Sequence, residues 1–172
     1  LNGYLNYRKL IKKYGKKKII YFYSESKNYR NHFEDLIKLL SSDEKYLIIY
    51  VTSDFEDTKM FEKNIKPIFI GNGLMRMVFF TFLSGDLMVM TLSDLGNYDL
   101  KKSKLCKQYL YIFHSMCSTF KSYTEKAFDN YDIIFANGVH QIDEIKKNEK
   151  INNLTQKKIY NTGYLYLENL KK

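Results

Sequence analysis

Cysteine, proline and tryptophan are nearly missing from this chain of 172 residues, which has two Cys, one Pro and no Trp. Cys106 and Cys117 stand alone, without CxxC or Cys/His ligand spacing, so neither a disulfide framework nor a zinc site is indicated. A reducing cytoplasm is the compartment this cysteine usage predicts. No apolar run reaches the roughly 18 to 20 residues of a membrane span. The nearest, Leu74 to Leu83, is interrupted by Arg76, and the chain is expected to be soluble or peripheral. Its first residues carry no apolar signal-peptide core, so secretion is not expected. Also missing is the GxGxxG spacing of a dinucleotide fingerprint.

What is present describes a folded domain with a basic surface. Apolar residues make up 45% and charged residues 27%, a balance that excludes a disordered chain, and the length fits one domain with a substantial core. The net charge of +9 and pI of about 9.3 point to polyanionic partners: nucleic acid, an anionic membrane surface or phosphate-rich substrates. Sixteen tyrosines would suit base stacking, but most lie beside apolar strand and helix positions, where packing explains them more simply.

Residues 4 to 14, YLNYRKLIKKY, place Leu5, Leu10, Ile11 and three tyrosines at helical spacing before Gly15, so residues 1–17 read as a basic amphipathic helix. With Lys16, Lys17 and Lys18 it would suit an anionic bilayer; packing one face on the domain is the alternative. From Lys18 short apolar runs alternate with helical patterns. The runs are IIYFYS, YLIIYV, PIFI, DLMVMTL, YLYIFHS, DIIFA and KKIYNTG. Helical patterns lie between several of them, over residues 28–40, 74–83 and 141–147. Strands alternating with helices, without tight hairpin turns, predict an α/β Rossmann-like, doubly wound, mostly parallel sheet over residues 18–172.

Small and polar residues follow the strands and would line one sheet edge: Ser24 and Glu25, Ser53 and Asp54, Gly71 to Gly73, Asp94, His114 and Ser115, Asn137 and Gly138. Ligands of open α/β sheets bind beyond the carboxyl ends of strands, although turns favour the same residue types. His114 ends the run YLYIFHS, where a titratable imidazole is placed for catalysis or substrate contact; capping the next loop is the alternative. Gly71-Asn72-Gly73, opening a helix, suits a phosphate cradle or a plain strand-to-helix turn. Arg76, one turn on, would meet a phosphate or pair with an acid. The loop after the fourth run carries Asp94, Asp99 and three lysines, as a substrate-holding loop or a solvated connection. For His32 and His140 core or capping roles are the default.

Together YSESKNYRNHF (23–33), TSDFED (52–57), IGNGLMR (70–76), DLMVMTLSDLGNYDLKKSK (86–104), YLYIFHSMCSTFKSY (109–123), FDNYDIIFANGVHQIDEIKKNE (128–149) and TGYLYLE (162–168) resemble the amino-terminal half of the CDP-glycerol glycerophosphotransferase family. The resemblance implies a GT-B-like enzyme of teichoic-acid-type polymer synthesis. It would move glycerol phosphate, or a related polyol phosphate, from a CDP-activated donor onto a phosphate-rich or glycan acceptor at the inner membrane face. It further implies that this chain is the acceptor-side domain and that the domain holding most CDP-glycerol contacts is not in it. The family's general base, a histidine in a Trp-His-Gly context, matches His114, here flanked by Phe113 and Ser115. No DxD-like metal pair or cofactor is expected. The reading from another class is a non-catalytic basic α/β module on an anionic membrane or nucleic acid.

Overall fold

The computed structural model describes residues 17–60, 65–98, 100–164 and 166–167. The amphipathic segment expected over residues 1–17 therefore lies outside the described residues apart from Lys17, as does Asp99. Seven strands form one sheet: β1 (Lys18–Ser24), β2 (Tyr46–Thr52), β3 (Lys66–Phe69), β4 (Gly85–Met90), β5 (Cys106–Ile112), β6 (Ile133–Ala136) and β7 (Lys158–Asn161). Their order is β3-β2-β1-β4-β5-β6-β7, and every neighbouring pair is parallel. The chain winds outward from β1 in one direction and from β4 in the other, which makes this a doubly wound Rossmann-like α/β fold with its switch point between β1 and β4.

The strands alternate large side chains between two faces, as burial on both sides requires. Ile19, Tyr21 and Tyr23 of β1 and Tyr109 and Tyr111 of β5 share one core with Phe79, Phe80 and Ile145. Ile20 and Phe22, with Leu110 and Ile112, share the other with Phe33 and Ile37. The first core packs against α2 (Leu74–Phe82) and α4 (Val139–Ile151), the second against α1 (Glu34–Ser41). A fourth helix, α3 (Thr119–Ser122), is a single turn. Fully burying one such aromatic or branched side chain contributes about 1.5–3 kcal/mol.

Two elements differ from the sequence pattern. The helix expected over 28–40 is a 3-10 helix at Lys27–His32 followed by α1, with Phe33 between them, fully buried and 5.8 Å from Phe22 in an edge-to-face contact. A 3-10 turn aligns residues three apart, which puts Tyr29 and His32 on one side above the sheet. β4 and β5 are joined by a loop with no helix among its described residues, in which Asp94 (φ 65), Gly96 (φ 83) and Tyr98 (φ 49) take left-handed conformations. The single proline, Pro67, lies in β3, the edge strand beside β2.

Candidate functional site

His114 stands two residues beyond β5, at the carboxyl edge of the sheet, next to the switch point. By strand alternation it follows Ile112 onto the α1 side, while Phe113 turns into the opposite core. There it meets side chains from two other stretches of chain. Tyr29 presents a ring at 5.4 Å and His32 one at 6.1 Å, both edge to face. The Tyr164 hydroxyl, from the segment after β7, donates to the His114 carbonyl at 2.9 Å. Tyr164 also stacks on His32 at 6.0 Å, and Tyr166 lies 5.6 Å from the same ring. Five rings from the ends of β1, β5 and β7 thus close around one point.

Both imidazoles are held neutral. Burial lowers the pKa of His114 below its usual 6.5, with the Thr91 backbone at the end of β4 pulling the other way. Burial, then the charge of His114, lowers His32 to about 4. The Nδ1 of His114 is buried and has no hydrogen-bond partner among the described residues. A neutral imidazole with an uncommitted ring nitrogen is the form in which histidine accepts a proton.

The loop following His114 is pinned from α4. Asn137 Nδ2 and Gln141 Nε2 both donate to the Ser115 carbonyl, at 2.9 and 3.1 Å, and Gln141 Nε2 also donates to the Cys117 carbonyl at 3.1 Å. Gln141 Oε1 accepts from the Asn137 backbone N–H at 2.9 Å, so one fully buried amide fixes both loops. Gly138 is the extended residue capping α4. The Ser115 hydroxyl lies 3.0 Å from the Cys117 thiol and 3.3 Å from the Tyr123 hydroxyl. Burial raises the thiol, but hydrogen bonds from Ser115, Ser122 and Tyr123 outweigh it and the net direction is down.

A second group of residues collects at the same edge on the α2 side. Arg76 pairs with Glu25 at 3.5 Å. Burial nevertheless holds the Glu25 carboxyl above its usual range, because Arg76 at that distance offsets only part of the desolvation. The buried Tyr23 hydroxyl lies 2.8 Å from the Ser53 hydroxyl, which donates to the Gly71 carbonyl at 2.8 Å. Gly71 (φ 61) and Gly73 (φ 71) turn the chain into α2 through left-handed conformations, leaving Asn72 exposed between them.

No family model matches the chain. No curated protein matches it. Among solved structures it is similar to shikimate dehydrogenase 1 from Peptoclostridium difficile, with 11% identity and a TM-score of 0.38 over 99% of this chain and 53% of that one. The chain thus spans about half the length of that structure. The chemistry of the site rests on its own residues.

Those residues sort the sequence candidates. All follow strand ends or, for Arg76, the helix after one. His114, Ser115, Asn137 and Gly138 form one connected unit, while Glu25, Arg76, Ser53, Gly71, Asn72 and Gly73 gather on the α2 side. Three candidates have structural partners close at hand. Ser24 is fully buried and donates to the Ser26 carbonyl at 2.6 Å. Asp54 accepts from the backbone N–H groups of Lys27 (3.2 Å) and Glu56 (3.0 Å), tying the loops after β1 and β2. Asp94 accepts from Ser93 at 2.6 Å and from Thr124, and its own N–H reaches the Ala127 carbonyl at 2.8 Å. Sequence reasoning missed His32, Tyr29, Tyr164 and Gln141 as parts of the site. The i, i+3 spacing of Tyr29 and His32 just past β1 was the one available signal. Among the described residues no group of three or more His, Cys, Asp or Glu side chains could hold a metal ion, and no helix is long and apolar enough to cross a membrane.

Proposed function

We propose that this chain is the acceptor-side domain of a glycerophosphotransferase-like enzyme, with His114 as its general base. In this reading an acceptor hydroxyl attacks the β-phosphorus of CDP-glycerol, or of a related CDP-polyol. A new acceptor O–P bond forms, the bond to CMP breaks, and the hydroxyl proton passes to His114. The observation that carries the reading is the neutral imidazole whose Nδ1 has no hydrogen-bond partner among the described residues, held by an aromatic collar at the carboxyl edge beside the switch point. Arg76 supports it as a cation at the same edge, able to exchange Glu25 for a phosphoryl oxygen. The partners are then a CDP-polyol, a phosphate-rich or glycan acceptor, and the anionic inner face of the cell membrane.

The test is release of CMP from CDP-glycerol by the full-length protein in the presence of acceptor. His114→Ala should abolish release while leaving the folded spectrum intact, a loss of at least 10²-fold for a removed general base. Wild-type turnover in that variant would refute the assignment.

A further inference from the structure

We infer that His32 is the positioning partner of His114: its ring fixes the orientation of the catalytic imidazole, and the two together hold no more than one proton. The inference rests on the functional reading above for the word catalytic, and on the ring geometry for everything else.

His32 is anchored from below. It closes the 3-10 helix Lys27–His32, and the next residue, Phe33, is fully buried against Phe22. The imidazole, 8% exposed, is stacked on Tyr164 and tilted against Tyr166 and Tyr29. Tyr164 and Tyr29 in turn touch His114, one through the backbone carbonyl and one through the ring. His32 therefore holds His114 directly and through two tyrosines. A ring in such a collar has little room to rotate away from the direction in which it must accept a proton.

Charge sets the second half of the inference. Two imidazolium ions with centroids 6.1 Å apart in a buried collar repel. Among the described residues the groups facing the pair are Tyr29 from the 3-10 helix, the Thr91 backbone just past β4, and Tyr164 and Tyr166 from beyond β7. Arg30, on the same 3-10 helix, directs its charge at Tyr50. Among the described residues no carboxylate figures in either histidine's shift to compensate a second proton. The coupling is reciprocal, as any interaction between two titrating sites must be. His114 loads first, and its charge keeps His32 neutral. A proton taken from an acceptor hydroxyl then stays on His114 until solvent or the departing phosphate removes it.

Histidine side-chain NMR on this chain tests the pair without any substrate, with His140→Gln used to assign the third resonance. In His114→Gln the midpoint of His32 should move up from about 4 by at least half a pH unit. An unmoved midpoint would overturn the inference. In the full-length enzyme, His32→Phe keeps a flat uncharged ring and should keep kcat within threefold. His32→Ala, which empties the collar, should lower kcat about tenfold or more with KM unchanged. Equal kcat in wild type and His32→Ala would also overturn it. Should His32→Ala fail to fold, the NMR shift in His114→Gln still decides. If no CDP-polyol turns over at all, the functional reading fails while the titration result stands independently.

Discussion

Replacing Gln141 with Leu should loosen the loop behind His114 at a cost that can be counted bond by bond. The side chain is fully buried, and leucine fills nearly the same volume, so the change leaves little cavity. What it removes are two donated bonds, to the Ser115 and Cys117 carbonyls, and one accepted from Asn137 N–H. Ser115 retains its bond from Asn137 Nδ2 at 2.9 Å. Among the described residues, no other hydrogen bond is seen for the Cys117 carbonyl or the Asn137 N–H. A buried polar group left unsatisfied costs about 1–3 kcal/mol, so two such groups and one weakened one amount to about 3 kcal/mol. For a chain of this size each kcal/mol lowers Tm by about 2–4 °C, giving a drop of about 6–12 °C. Urea denaturation with an unchanged m-value, together with calorimetry, measures it. A loss below about 1 kcal/mol would mean that the loop does not depend on this amide, and the account of how His114 is held would fail.

Two further predictions concern protons and charge. His32 and His114 both have folded-state pKa values depressed below 6.5, His32 to about 4, so between pH 4 and 6.5 the unfolded chain binds more protons. Stability should be full above pH 6.5 and fall as the pH drops through that window. The His32 share is about 2 kcal/mol after discounting for the part of the ring near solvent, and His32→Phe should remove it. An identical pH dependence in wild type and His32→Phe would refute this. Separately, Arg8, Lys9, Lys12, Lys13, Lys16, Lys17 and Lys18 should hold the protein on anionic but not neutral liposomes, at about 1 kcal/mol per residue facing the surface. Co-sedimentation should vanish near 1 M salt, where screening shortens to about 3 Å, and weaken on deletion of residues 1–18. Equal binding to neutral vesicles would remove this segment from the account.

The sheet was legible because its strands are buried on both faces and read as unbroken apolar runs. YLIIYV and YLYIF mark β2 and β5 within a few residues, and the position of His114 past β5 followed directly. Other features depended on contacts distant in sequence. Tyr164 lies 50 residues from the carbonyl it binds, and no local pattern indicates that the segment after β7 returns over the ends of β1 and β5. His32 looked like a helix residue beside a core phenylalanine, and it is one; its ring contacts with Tyr164 and Tyr166 come from what folds on top of it. Asp94 was conspicuous in sequence as an acid in a long loop, yet its oxygens face Ser93 and Thr124 and its N–H faces Ala127. A carboxylate in a left-handed turn satisfies its own loop as readily as it meets a substrate.

Pro67 has a consequence for how the protein behaves in crowded company. An open parallel sheet ends in a strand whose outer groups are free to recruit a strand from another molecule, and four-residue β3 is that strand on the β2 side. A proline there lacks the N–H that strand addition requires, and an edge is where a sheet tolerates one. With Phe55 and Phe69 exposed nearby and in contact at 5.6 Å, this margin would otherwise offer both backbone and apolar surface to a neighbour. The chain's one proline thus makes this apolar margin a poor template for polymerisation.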